Sequence, residues 1–144
     1  MKSYKEGTMQ SNIRSGIFFH DLPIYRDVDG CYCSTTLTNE MFSRYFYVVD
    51  ELTVVLRVYP LDVTYEEAHQ EKIDTEKIHI LSVPNINSPH GFFTSIFSVW
   101  KMILEETKKT DYIFIRGGTI ARLGVDAARK LKKPYLVECG GCAW

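Results

Sequence analysis

Polar and charged side chains stand where the apolar runs of this chain end. His20 and Asp21 close the first run, Arg57 closes the second, and Arg116 and Glu138 close two later ones. A histidine beside an acid can act as a general base or donate a hydrogen bond to a sugar hydroxyl, although a strand-end histidine is more often structural. These residues are therefore candidates for binding a sugar or an anion. The residue types alone do not assign a catalytic role to any of them.

The turn Arg116-Gly117-Gly118-Thr119 combines a cation, two small residues and a hydroxyl just before a predicted helix. Free backbone N–H groups and the helix dipole favour an anion there, which predicts an anion-binding turn for phosphate or carboxylate. In the alternative, the glycines only make a tight turn and Arg116 is solvated or paired with an acid such as Glu138. The chain lacks the glycine spacings of a Walker loop and of a dinucleotide-binding fingerprint, which excludes those two modes of nucleotide binding.

The cysteines form two pairs, Cys31-Tyr32-Cys33 and Cys139-Gly140-Gly141-Cys142. Four thiolates could bind zinc, but the spacing of the first pair is too short for an ordinary structural site. A redox role for the second pair would need a helix N-terminus to lower a thiol pKa, and no predicted helix follows. We therefore expect buried thiols and no metal or other cofactor.

Strands and helices alternate along the sequence. The continuous run Leu52 to Val58 is typical of a strand covered on both faces. The predicted strands are Gly16–Leu22, Leu52–Val58, Ile78–Val83, Tyr112–Ile115 and Tyr135–Glu138.

Three helices are predicted between these strands. Thr38 is the expected N-cap of a helix that ends near Asp50, and Ser88 with Pro89 opens the second. The third runs from about Thr119 to Lys132. The second helix is expected to bury a single stripe, composed of Phe92, Phe93, Ile96, Phe97, Trp100, Ile103 and Leu104. Tyr25–Thr36 is expected to be a polar loop, and 62–77 a loop or short helix.

This alternation predicts an α/β fold, a Rossmann-like three-layer α/β/α domain with a parallel sheet of about five strands. Ligands of such sheets bind at the carboxyl ends of the strands. His20, Asp21, Arg57, Arg116 and Glu138 all lie at such ends, so we expect them to cluster.

Composition limits the classes of protein that the chain can represent. Its 144 residues, 45% of them hydrophobic, suit one domain over residues 13–144 after a flexible tail over 1–12. A net charge of -1 argues against nucleic acid as a partner. The chain has no apolar run that could span a bilayer and no signal-peptide h-region, so we expect a cytoplasmic protein. The basic run Arg129–Lys133 suits a helix C-terminus, with peripheral association at the inner face of the membrane as an alternative.

The chain ends directly after the last predicted strand, without a covering helix. We interpret this as a truncation that leaves an apolar face uncovered, through which the chain could self-associate.

Several short pieces, in this order, resemble the N-terminal half of bacterial family 4 glycosyltransferases. The resemblance covers residues 15–144. It rests on HDLP (20–23), DGCY (29–32), SRY (43–45), LTVVLR (52–57), IR (115–116), KPYLVE (133–138) and GGCAW (140–144).

The resemblance implies one half of a GT-B fold, in which two Rossmann-like domains face each other across a cleft. It implies retaining hexosyl transfer from a nucleotide sugar without a metal, for cell-surface polysaccharide biosynthesis, to a glycan, lipid-linked or small sugar acceptor. The donor-binding C-terminal domain would be absent, and the fragment alone inactive. His20, Asp21, Arg57, Arg116 and Glu138 would line the acceptor cleft, and the Asp29-Gly30 loop would face the donor phosphates.

One position departs from the family pattern, because Gly140 stands where many members carry a histidine that contacts the sugar. No catalytic role is therefore transferred to this chain. A second hypothesis is a free-standing flavodoxin-like binding or regulatory domain that holds a phosphorylated ligand at the Arg116-Gly117-Gly118 turn.

Overall fold

A five-stranded sheet forms the centre of the molecule in the computed structural model, which describes residues 12–139. Strands β1 to β9 are, in order, Ser15–His20, Ile24–Arg26, Tyr32–Ser34, Glu51–Leu56, Val58–Pro60, Glu71–Lys72, Ile78–Ser82, Tyr112–Arg116 and Tyr135–Val137. Helices α1 to α3 are Asn39–Ser43, Pro89–Lys109 and Thr119–Lys130, and a 3-10 helix, Arg44–Tyr47, follows α1.

The central sheet has the strand order β7-β4-β1-β8-β9, and every neighbouring pair is parallel. The chain builds outward from β1 to β7 and then crosses through α2 to β8, on the other side of β1. The predicted α/β class and its parallel sheet with flanking helices are confirmed.

Both faces of the central sheet are covered along β1, whereas the edge strand β9 is exposed. Along β1, Ile17 and Phe19 join the core beneath α2 and α3, whereas Phe18 joins the core on the opposite face. All three side chains are fully buried, and burying each stabilises the fold by about 2–3 kcal/mol. Gly124 of α3 lies so close to β1 that a Cβ there would come within 2.6 Å of the Phe19 ring. The layer order is therefore helices, sheet, and a mixed layer of helix and small sheet.

The mixed layer contains a second sheet that the sequence did not predict. Strands β2 and β3 form an antiparallel hairpin within the segment expected to be a polar loop, Tyr25–Thr36. The hairpin pairs with β5 on one side and β6 on the other. The segment 62–77, expected to be a loop or short helix, contains turns and β6. These strands are two or three residues long, too short to show a period of two.

The predicted helix starts are correct, but two helices differ in extent or orientation. Thr38 Oγ1 accepts from Met41 N at 3.2 Å, and Ser88 Oγ accepts from Gly91 N at 3.1 Å. The first helix, expected to reach Asp50, changes to a 3-10 helix at Arg44.

The expected buried stripe of α2 is confirmed only in part. Ile103 is buried and Ile96, Trp100 and Leu104 pack against the same core, but Phe92, Phe93 and Phe97 are exposed. Apolar residues cover more than half of the circumference of the first four turns, so their spacing alone does not show which of them face inward.

The basic run at the end of α3 has a structural use in the neighbouring helix. Lys133 Nζ donates to the carbonyls of Thr107, Lys108 and Thr110 at 2.8, 2.7 and 2.6 Å. These carbonyls lie at the C-terminus of α2, where an ammonium group is favoured by unpaired acceptors and by the helix dipole. Lys133, which follows α3 in the chain, therefore caps the C-terminus of α2.

No helix within residues 12–139 is both long and apolar enough to cross a bilayer. The predicted flexible tail, residues 1–12, lies outside the described residues except for Asn12, as does the C-terminal segment 140–144.

Candidate functional site

The carboxyl ends of β1 and β8 form the topological switch point of the sheet. After β1 the chain adds β4 and β7 on one side of β1, and it then returns through α2 to add β8 on the other side. The connections that leave β1 and β8 therefore run in opposite directions. Such divergence opens a crevice where ligands of α/β sheets bind. His20 and Arg116 are register partners at this point, which brings two predicted site residues together.

His20 is held as a neutral imidazole at the end of β1. Its Nδ1 accepts from the backbone N–H of Asp21 at 2.9 Å, and its ring packs edge-on against Phe18. Burial, followed by the positive charge of Arg116, lowers its pKa below the ordinary 6.5. At neutral pH the side chain is therefore uncharged.

We expect acidification to destabilise the protein through His20. Because the folded-state pKa lies below the ordinary 6.5, the unfolded chain binds more protons between the two values. The stability contribution is full above about pH 6.5 and is lost as the pH falls toward the folded-state pKa. Protonated Nδ1 also cannot accept from the Asp21 N–H.

Urea denaturation over a series of pH values measures this effect. His20→Asn, whose side-chain oxygen can still accept, should flatten the loss of stability as the pH falls below about 6.5. His79→Asn is the control. His79 is exposed on the edge strand β7, and its Nε2 lies 3.7 Å from a carboxylate oxygen of Glu51. An unchanged pH dependence in His20→Asn would contradict the assignment.

Asp21 occupies the predicted anion-binding turn with its own carboxylate. It accepts from the backbone N–H groups of Thr119 and Ile120, the latter at 2.8 Å. The turn formed by Gly117 and Gly118 does attract an anion at the start of α3, and in this structure the anion belongs to the chain itself. Asp21 is therefore a helix cap rather than an open cleft residue.

Arg57 carries an unused hydrogen-bond donor beside the switch point. Its Nη2 donates to the backbone carbonyl of Asp21, and its Nη1 donates to the Tyr59 hydroxyl at 3.2 Å. Its Nε is buried and has no acceptor among residues 12–139. A buried donor without a partner costs about 1–3 kcal/mol, and an acceptor atom of a ligand would reach this one only if the surrounding side chains moved apart.

Arg116 also has capacity to bind an anion. It is half-buried, its Nη1 contacts the Met41 sulfur at 3.4 Å, and it forms no ion pair within residues 12–139. The alternative pairing of Arg116 with Glu138 is not observed. Its guanidinium therefore keeps donors for a carboxylate or phosphate.

Glu138 belongs to a network with α1 and the 3-10 helix. Its carboxylate accepts from Arg44 Nη2 at 2.6 Å and from the Tyr45 hydroxyl at 2.7 Å. Burial and the hydrogen bond to Glu138 raise the pKa of Tyr45. Neither Arg44 nor Tyr45 was among the predicted site residues. The structure brings both to the site.

The Asp29-Gly30 loop is the tip of the β2–β3 hairpin. Asp27, a residue that sequence analysis missed, accepts from the backbone N–H groups of Asp29, Cys31 and Tyr65 at 3.1, 2.7 and 3.0 Å. Burial opposes ionisation, but these hydrogen bonds outweigh it and lower the pKa of Asp27. An acid two residues before a glycine turn was the available signal, since aspartate commonly bonds to its own turn.

A groove of about 620 Å³ lies between this hairpin and β5. It is joined to the switch point because Tyr59, which lines it, accepts from Arg57. Its lining residues are Arg26, Asp27, Val28, Gly30, Tyr32, Val58, Tyr59, Pro60, Leu61 and Ser82. Tyrosines and an arginine around a groove of this size suit a sugar ring, which combines apolar faces with hydroxyls.

The three cysteines within the described residues, Cys31, Cys33 and Cys139, are free thiols. Burial raises the pKa of Cys33, as expected for an unreactive buried thiol. The expectation of buried thiols is wrong for Cys139, which is exposed, and Cys31 is only half-buried. Residues 12–139 contain no cluster of histidine, cysteine or acidic side chains that could hold a metal. Cys142, the fourth cysteine of the zinc and redox hypotheses, lies outside the described residues.

Fold and site together define a Rossmann-like α/β domain with a cationic switch point. No known protein family and no curated protein matches the chain. A solved structure similar to it is the C-terminal domain of a hydrogenase from Pyrococcus furiosus, at 10% identity and a TM-score of 0.42, with 87% of this chain and 91% of that one covered.

Proposed function

We propose that this chain is the acceptor-side domain of a GT-B glycosyltransferase, similar to the N-terminal half of family 4 enzymes. The observation that carries the proposal is the half-buried Arg116 guanidinium, which forms no ion pair within residues 12–139 and lies beside His20 at the switch point of a Rossmann-like sheet. Arg57, whose buried Nε lacks an acceptor among the described residues, is a second source of donors at the same edge. Such donors suit hydroxyl, carboxylate or phosphate oxygens of an acceptor sugar.

In this proposal each site residue has a separate part. Arg57 and Arg116 bind the acceptor, and neutral His20 is placed to hydrogen-bond a sugar hydroxyl. Asp21 and Glu138 hold the surrounding loops through the α3 cap and the Tyr45 network. The tyrosine-lined groove between the hairpin and β5 extends the site for a further sugar ring. No residue is proposed as a catalytic base.

The donor nucleotide sugar would bind to a C-terminal domain that these residues do not supply. The Asp29-Gly30 turn, at the hairpin tip, would then face the donor phosphates across the cleft. Because no donor site is proposed within residues 12–139, the chain alone is expected to be inactive. We further propose that it works in the cytoplasm, with peripheral association at the inner face of the membrane.

The alternative, a free-standing domain that holds a phosphorylated ligand at the Arg116-Gly117-Gly118 turn, has less support. The N–H groups of Thr119 and Ile120 are engaged by Asp21, so a phosphate would have to displace that carboxylate. Two like charges cannot share this helix terminus without raising the free energy.

Calorimetric titration of the whole chain tests the proposal. Nucleotide sugars and nucleotides should not bind tightly, whereas a panel of sugar phosphates and oligosaccharides should include a weak ligand. Arg116→Gln should weaken that ligand by about tenfold or more, because a hydrogen bond to a charged group is worth about 1.5–3 kcal/mol.

Arg122→Gln is the matched control, since Arg122 is exposed on α3 and pairs with Asp126 at 3.5 Å, outside the switch point. Tight nucleotide binding by this chain would overturn the acceptor-side assignment in favour of the free-standing domain. Loss of the sugar ligand in both variants, or in neither, would remove Arg116 from the site.

A further inference from the structure

The outer face of α2 carries large aromatic side chains in solvent. Phe93 and Phe97 are 79% and 84% exposed, and Phe92 is 42% exposed. Phe93 and Phe97 are four residues apart, so they project from the same side of the helix. We refer to Phe93 and Phe97, with the half-buried Trp100 one turn on, as the aromatic patch.

The aromatic patch is separate from the switch point. The inner face of α2 packs on the sheet through Val99 and Ile103, in the core shared with α3. The patch faces outward from that side, whereas the groove beside Tyr59 belongs to the mixed layer on the opposite face. Acceptor binding therefore gives no reason for its exposure.

An apolar groove continues the patch onto α3. It encloses about 310 Å³ and is lined by Ile96, Phe97, Trp100, Leu123 and Asp126. Exposed phenylalanines next to such a groove form a contiguous apolar area rather than scattered single residues, which is typical of an interaction surface.

The rim of the aromatic patch is positively charged. Lys130 Nζ lies 5.9 Å from the centre of the Trp100 ring, and Lys101 is exposed one turn beyond Phe97. The stretch 89–104 contains no acidic residue. The nearest acid on α3, Asp126, is paired with Arg122. Glu105, one turn after Lys101, offsets part of that charge but is itself paired with Lys108. The patch thus combines aromatic rings with a rim on which the lysines predominate.

From this combination we propose that the aromatic patch docks the protein on an anionic lipid bilayer. Aromatic rings enter the boundary between headgroups and acyl chains, while lysines meet the anionic headgroups. A second copy of this chain fits less well. A twofold contact would place Lys101 and Lys130 of one copy close to the same lysines of the other, and their like charges would repel. The inference rests on the peripheral membrane association proposed above and assigns a surface to it. It does not depend on acceptor binding, so vesicle binding and sugar binding can fail separately.

Co-sedimentation of the full chain with vesicles tests the proposal. Phosphatidylcholine vesicles containing about 30% phosphatidylglycerol should bind the chain, and pure phosphatidylcholine or high salt should weaken the binding. The double variant Phe93→Ser/Phe97→Ser should lower the partition coefficient by about tenfold or more. Because both rings are exposed, its thermal midpoint should match that of the original chain.

Tyr47→Ser is the matched control. Tyr47 is 87% exposed but lies on the 3-10 helix, on the opposite side of the sheet. The control should bind vesicles as the original chain does. Absence of vesicle binding, or equal loss in the control and the double variant, would overturn the proposal. A dimer that dissociates in the double variant, without vesicle binding, would identify the patch as a self-association surface instead.

Discussion

Gly118→Ala is expected to lower the free energy of unfolding by about 3 kcal/mol or more. Gly118 has φ of 96° and ψ of -172°, a backbone conformation open in practice only to glycine. An added Cβ would also overlap the Asp21 carboxylate that caps α3. Relieving the overlap would move Asp21 away from the N–H groups of Thr119 and Ile120, so strain and loss of the cap add together. Urea denaturation followed by circular dichroism measures the change.

Gly117→Ala provides the control at the adjacent position. Gly117 has φ of 48°, and a Cβ there would meet nothing within 4 Å. A single residue in the left-handed region costs about 1–2 kcal/mol, so this variant should be clearly more stable than Gly118→Ala. Equal losses in the two variants would mean that contact with Asp21 contributes nothing.

Glu138→Ala is expected to cost about 2–3 kcal/mol, the second-largest effect. It leaves the hydroxyl of buried Tyr45 without its 2.7 Å acceptor and removes the contact that ties the end of β9 to the 3-10 helix. Arg44 is expected to contribute less, because its side chain is 48% exposed and solvent screens its charge.

A double-mutant cycle with Tyr45→Phe isolates the Tyr45–Glu138 interaction. Tyr45→Phe removes the hydroxyl and keeps the ring that packs against Phe18 and Phe114. If the hydrogen bond carries the effect, the two substitutions should be non-additive by about 1–2 kcal/mol. Strict additivity would place the effect of Glu138→Ala elsewhere.

The central strands and their order along the chain were predictable from their apolar runs, whereas their order across the sheet, β7-β4-β1-β8-β9, was not predicted. Runs such as Leu52–Val58 leave no solvated face, and alternating helices restrict the sheet to parallel connections. The N-caps Thr38 and Ser88 were predictable for a local reason, since each bonds within its own first turn. Boundaries were less accurate, as the first helix shows.

The location of the candidate site was predictable from the sequence, but the hydrogen bonds and ion pairs among its residues were not. Strand ends identified His20, Asp21, Arg57, Arg116 and Glu138, and parallel pairing brings the ends of their strands to one edge. Which charges neutralise one another depends on contacts between residues up to 99 positions apart, such as Asp21 with Ile120. Sequence spacing carries no information about such distances.

The sequence by itself determined the α/β class, the parallel central sheet and the edge at which polar residues gather, because these follow from local periodicity and strand polarity. Only the tertiary structure decided that Asp21 fills the anion-binding turn, that Arg57 keeps an unpaired donor, and that Phe93 and Phe97 face outward. Each of these depends on the rotation of one element against another. The apolar residues of α2 cover more than half of its circumference over the first four turns, and packing with α3 and the sheet decided which of them are buried.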